Sequence, residues 1–249
     1  MRYFLEIAYN GTHYHGWQKQ PNALSVQEVL EQKLSIFFRE EVTIMGAGRT
    51  DAGVHAKQLF AHFEVAEIQD IPKVVYQLNS FLPRDISVHN IHLVKNDAHV
   101  RFDATSREYE YLISLQKNPF QQKLAYQMYQ EPDVTLMNQA AEILLQYSDF
   151  QCFSRSNTDV KTYLCEVTKA IWELEDSQLK FTITANRFLR NMVRAIVGTL
   201  LDVGFGKITL ENVHEIIKSK DRGKAGPSAP AHGLYLTKVC YPPTMFVNK

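Results

Sequence analysis

The sequence is short of cysteine, of excess charge and of long apolar runs, and each shortage excludes a class of protein. Cysteine occurs three times, at Cys152, Cys165 and Cys240, an odd and widely spaced set with no C-x-x-C pair. That spacing supports neither a zinc site nor a disulfide frame and suits reduced thiols in a cytoplasmic protein. Twenty-seven basic residues balance twenty-seven acidic ones, so net charge points to no partner. A zero total still permits a basic face, because binding follows the local field. No apolar run approaches the roughly 18 residues that span a bilayer. The opening Met1-Arg2-Tyr3-Phe4-Leu5-Glu6 carries a charge where a secretory signal needs an apolar stretch. What remains is 249 residues, 45% hydrophobic and 22% charged, enough for one large domain or two ordinary ones.

The stretch Gly46-Ala47-Gly48-Arg49-Thr50-Asp51-Ala52-Gly53-Val54-His55-Ala56 stands out. Three glycines and three alanines surround one arginine, one aspartate and one histidine. Glycine permits positive φ and lets a ligand approach the backbone. Val42 to Met45 reads as a strand before it, and Leu59 to Phe63 as an apolar strand after it. Asp51 is then either the bearer of chemistry, with Arg49 placing the substrate, or a turn residue bonded to its own backbone. Only Glu41 joins Asp51 as an acid within residues 41–60, too few oxygen ligands for a metal.

Tyr3 to Tyr9 reads as a strand broken by Asn10-Gly11. Residues 12–21 are aromatic and amide-rich, suited to stacking on bases or to capping a core. Ser25-Val26-Gln27-Glu28 is a capping box that opens a helix with Val26, Leu30, Leu34 and Phe37 on one face. A short helix over 71–80 and a strand over 86–94 complete a β-α-β-β-α-β order, a split βαβ unit. Arg101 to Arg107 is a polar connection, which divides the chain into 1–104 and 105–249. The second half opens with a strand over 109–115. Asp133 caps a helix reaching about Tyr147, and a hairpin turns at Glu175-Asp176-Ser177. The strongest helix runs from Leu189 to about Gly204, with Arg190 and Arg194 one turn apart on it. A helix over 209–219 and a strand over 234–240 follow. The expected class is α+β: two ferredoxin-like halves whose antiparallel sheets join into one larger mixed sheet, with helices on one face and a central cleft.

Three further groups invite a role. Tyr109 and Tyr111 share a strand face, as half-buried packing or as a stacking ring and a phenol acid or base. Arg190 and Arg194 need solvent or a carboxylate partner such as Asp51. Lys218, Lys220, Arg222 and Lys224, beside Gly223 and Gly226, form a basic run that either touches phosphates or is simply solvated.

Taken together, these segments resemble the tRNA pseudouridine synthase A family along nearly the whole chain. The likeness is carried by Gly48-Arg49-Thr50-Asp51-Ala52-Gly53-Val54-His55-Ala56, by Gly16-Trp17-Gln18, and by Arg107-x-Tyr109-x-Tyr111. It continues in Phe188-Leu189-Arg190-Asn191-Met192-Val193-Arg194 and in Ala229-Pro230-Ala231-x-Gly233-Leu234-Tyr235-Leu236. The resemblance implies isomerisation of uridine to pseudouridine at positions 38, 39 and 40 of the tRNA anticodon stem-loop, with no cofactor and no metal. It implies a homodimer, each site lying in a cleft between two similar halves. Asp51 matches the catalytic aspartate and Tyr109 the tyrosine that packs on the target base. Arg49 matches the arginine that fills the space left by the flipped nucleotide. Arg194 matches the basic residue paired with the aspartate, and Leu236, with Leu234 as the alternative, the apolar residue beneath the base. Gln58, Ala98, Val100 and Ala185 depart from the family's usual residues without touching a matched site position. Two rival classes make other demands. An RNA-binding module gives Asp51 no task, and a glycoside-type hydrolase needs a second acid and releases free uracil.

Overall fold

The computed structural model describes residues 1–155 and 160–247. The chain divides into two compact units, one of Met1–Thr105 with the segment from Leu236 on, the other of Ser106–Tyr235. The final strand β9 (Leu234–Cys240) passes from the second unit into the first.

In the first unit β1 (Arg2–Tyr9) runs antiparallel to β3 (His55–Glu64) on one side and to β4 (Ile86–Leu93) on the other. A two-residue β2 (Met45–Gly46) pairs with β3, giving the order β4-β1-β3-β2 of a ferredoxin-like unit. Central β1 buries Phe4, Leu5 and Ile7 completely. Helix α1 (Val26–Phe38) begins where the Ser25 hydroxyl accepts from the Glu28 amide, 3.2 Å away. It buries Val26, Val29, Leu30 and Leu34, with Phe37 left half-buried against Phe38. Asp70 caps α2 (Ile71–Phe81), whose Asn79 side chain both donates to and accepts from the backbone of Val88 on β4.

The expected strand over 42–45 is almost absent. The Val42 amide donates to the Ser35 hydroxyl and the Ile44 amide to the Glu31 carboxylate, so helix α1 takes the hydrogen bonds that a sheet neighbour would otherwise use. Val42 and Ile44 are still buried while Met45 is exposed, so the segment before the site loop packs its apolar face without being a strand.

The second unit repeats the plan. β5 (Ser106–Ser114), β8 (Gln178–Ala185) and β7 (Val167–Glu175) pair antiparallel in that order, and a short β6 (Tyr126–Gln127) runs parallel to β5. Pairing is therefore mixed and the class is α+β, as expected. Asp133 caps α3 (Val134–Leu144), whose Asn138 clasps the Trp172 backbone on β7 as Asn79 clasps Val88. β4 and β7 are the outermost strands, and in each a helix asparagine satisfies an amide and a carbonyl on the exposed edge. α4 (Met192–Gly204) and α5 (Leu210–Ser219) complete the unit. α4 starts three residues later than expected, because its cap Asn191 sits at φ 67° and breaks the helical path. Arg190 thus lies outside the helix that carries Arg194, and the two are not turn-spaced neighbours.

Gln58 stands at the crossing of three segments of the first unit. Its amide donates to Glu6 at 2.7 Å and its oxygen accepts from the Val239 amide at 3.0 Å. The other Glu6 oxygen meets His92 Nε2 at 2.9 Å. The bond to His92 holds the Glu6 carboxyl below its ordinary range, with Gln58 adding to it against partial burial. A depressed carboxylate stabilises the fold above its unfolded pKa, and the benefit is lost as pH falls through the lower folded value. Glu6→Gln should therefore lower the urea midpoint at neutral pH, and the gap from the parent should close as pH falls from about 7 to about 3.

Candidate active site

The loop carrying Asp51 is held by the segment that precedes α1. The Trp17 amide donates to the Thr50 carbonyl at 3.2 Å, and the Gly53 amide to the Tyr14 carbonyl at 3.3 Å. The Tyr9 and Thr50 hydroxyls are 2.8 Å apart, and the Gly11 amide donates to His55 Nδ1 at 3.0 Å. Within the loop, the Val54 amide closes a turn on the Asp51 carbonyl. The aromatic residues of 12–21 are core here: Tyr14 is 5% exposed and Trp17 2%. Tyr14 donates to the Asp85 carboxylate at 2.7 Å, and burial together with that carboxylate pushes its phenol upward. Capping the core, not stacking on bases, is the role these two rings take.

The loop glycines have different reasons to be small. A Cβ on Gly46 would fall 2.5 Å from the Trp17 indole. Gly16 sits at φ +88°, and a Cβ there would lie 2.3 Å from the Thr50 carbonyl oxygen. Gly48 alone of these faces open space, with nothing described within 4 Å of its missing Cβ. Arg49 is exposed and Asp51 half-buried, two residues apart on this fastened loop. Leu236, also in the first unit, is 1% exposed on β9.

The second unit holds Tyr109 and Arg194. Tyr109 lies on β5 opposite Ile183, half-buried, with its ring edge-on to Phe188 at 5.1 Å. Tyr111 on the same strand is fully buried and donates to the Pro230 carbonyl at 2.8 Å. Arg194, in the first turn of α4, donates through Nε to the Ala229 carbonyl at 2.6 Å, while the Ala229 amide donates back to the Arg194 carbonyl at 3.0 Å. Burial pushes the Tyr111 phenol upward and the Arg194 charge opposes it. Burial, and then the same charge, hold the His232 imidazole low. Arg194 and Tyr111 thus bond to the consecutive carbonyls of Ala229 and Pro230.

The basic run after α5 is only partly a solvated face. Lys218 and Lys224 are exposed, and Lys220 pairs with Asp149 at 2.7 Å. Arg222 turns inward, giving bonds to the Ala225 and Gly226 carbonyls and to the Ser228 hydroxyl. Its sequence neighbours give no sign of this, because the acceptors are two backbone carbonyls and one hydroxyl within six residues.

A family model described as tRNA pseudouridine synthase matches residues 7–103 and 140–242. The chain belongs to that family. The relatives it resembles are named tRNA pseudouridine synthase A. One from Bacteroides thetaiotaomicron is 52% identical over 248 residues, covering 98% of this chain and 92% of the relative. One from Bacteroides fragilis is 51% identical and covers 98% of both chains, and one from Porphyromonas gingivalis is 49% identical and covers 99% of both.

The glycine geometry gives a contrast within one site. Gly16→Ala should lower stability by about 2–3 kcal/mol, through overpacking and a disfavoured φ. Gly48→Ala should stay within about 1 kcal/mol of the parent, since its added methyl meets nothing. Urea unfolding of the two variants checks both.

Proposed function

We propose that this protein isomerises uridine to pseudouridine in the anticodon stem-loop of tRNA, at positions 38, 39 and 40. It would work in the cytoplasm as a homodimer, with neither a cofactor nor a metal. The observation that carries this reading is near-full-length identity to relatives named for that enzyme. The fastening of the Asp51 loop by residues 9–17 supports it, because a reacting group must be held still.

In this reading the target nucleotide leaves its stack at a cost of a few kcal/mol, and Arg49 takes the vacated space. The ring of Tyr109 and the side chain of Leu236 are flat and apolar surfaces for uracil, a stack worth about 1–3 kcal/mol per base. Asp51 is the catalytic group and Arg194 its cationic partner. The N1–C1′ bond breaks, the detached uracil turns while caged, and C5 bonds to C1′. C5 gives up its proton to solvent and N1 takes one up, so atoms balance without a co-substrate. Caging keeps the two fragments at high effective concentration, which favours rejoining over escape.

Asp51→Asn should abolish tritium release from C5-labelled uridine in tRNA while tRNA binding persists. Retained release near the parent rate would refute the role of Asp51, and free uracil in the parent reaction would indicate a hydrolase. Tyr109→Phe should keep release within about threefold of the parent, since stacking uses the ring and not the phenol.

A further inference from the structure

Residues 221–230 form a strap against helix α4, held in a way that ordinary loops are not. A Cβ on Gly198 of α4 would fall 1.7 Å from the Pro227 carbonyl oxygen, and one on Gly226 would lie 2.8 Å from Thr199 backbone atoms. The backbones therefore touch where neither residue has a side chain. The Gly226 amide donates to the Thr199 hydroxyl at 2.9 Å, which in turn donates to the Ala195 carbonyl one turn back on the helix. Arg222 closes the strap from the other side, with bonds of 3.3 and 3.1 Å to the Ala225 and Gly226 carbonyls. Its Nη2 donates to the Ser228 hydroxyl at 2.9 Å, which also accepts from Asn191, the cap of α4, at 2.7 Å.

The next two residues of the strap present the Ala229 and Pro230 carbonyls, and these receive Arg194 Nε and the Tyr111 hydroxyl. We propose that Arg222 is a positioning residue for the isomerisation: through Ser228 it fixes the Ala229 carbonyl, and so the plane and reach of the Arg194 guanidinium. This inference rests on the reading of Arg194 as a participant in the reaction. Arg222 acts as a clamp within the strap, through its bonds to Ala225, Gly226 and Ser228.

The test measures single-turnover tritium release and tRNA affinity for Arg222→Ala, Ser228→Ala, Arg194→Ala and the Arg222→Ala/Arg194→Ala double variant. Arg222→Ala should slow release by about 10- to 100-fold with the tRNA Kd within about twofold of the parent, since a displacement of about 1 Å costs that much rate. Free guanidinium ion should restore part of that rate. In the Arg194→Ala background the same substitution should change the rate by less than about twofold, because groups acting as one unit are not additive. Ser228→Ala, which retains Arg222 and the fold's larger side chains, should reproduce the pattern in milder form and keeps the test open if Arg222→Ala fails to fold. A parent-like rate in both strap variants, full additivity with Arg194→Ala, or a Kd that rises as much as the rate falls would each overturn the positioning role. Parent-like release by Arg194→Ala would overturn the reading of Arg194 and the positioning role with it. A slow Arg194→Ala beside parent-like strap variants would overturn the positioning role alone.

Discussion

Close approach of two backbones is the constraint on which the Asp51 loop depends. Gly11 and Gly16 bring the segment after β1 so near to residues 50–54 that a Cβ on either would fall within 2.3 Å of a carbonyl oxygen. Amide and hydroxyl bonds then cross the gap at Thr50, Gly53 and His55. An aspartate on a loop with ordinary freedom would spend its conformational entropy at each turnover. Here that entropy is removed on folding, by contacts that tolerate no side chain, and the buried Tyr14 and Trp17 supply the apolar burial that offsets it.

The second unit solves the same problem with different parts. Gly198 and Gly226 let the strap lie on α4, and Thr199, Arg222 and Asn191 tie it down. In both units an irregular segment is fixed by a side-chain-free contact with its neighbour plus a few directional hydrogen bonds. The regular elements contribute mainly a stable base. From their helices Asn79 and Asn138 bond the edge strands of their units in the same manner, which protects edges that would otherwise invite pairing.

The sequence was most legible where one residue type has one dominant use. Ser25 and Asp133 announce helix starts, and the alternation of 163–172 and 179–185 announces a hairpin, whose first strand in the structure runs over Val167–Glu175. It was least legible where a backbone group bonds to a side chain of a neighbouring element, or where one residue leaves the regular backbone path. Val42 to Ile44 carry a strand pattern, yet Ser35 and Glu31 of the preceding helix take their amides. Leu189 to Asn191 continue a helical pattern, yet Asn191 turns left-handed and delays the helix. The small residues of the Asp51 loop suggested room for a guest throughout. The structure assigns Gly46 to Trp17 and leaves open space beside Gly48, because composition cannot distinguish a glycine that admits a ligand from one that admits a neighbour. Arg222 was legible only as positive charge, and its use as a clamp depends on a turn that no local pattern encodes.

Why a carbonyl should orient Arg194 follows from electrostatics. A carboxylate in the strap would hold a guanidinium more tightly, but it would cancel the charge it holds. The Ala229 carbonyl accepts from Nε, the donor nearest the stem, and so fixes the plane of the group while the positive charge persists. That charge acts on nearby groups: after burial it helps hold the His232 imidazole low, and it works against the burial-driven rise of the Tyr111 phenol. Tyr111 spends its own hydroxyl on the adjacent Pro230 carbonyl, so the two donors sit on consecutive carbonyls of one strap. A displacement of that strap would move both together. The strap is therefore a single rigid reference for the cation, and its rigidity depends on side chains that need touch nothing but the strap and the helix beneath it.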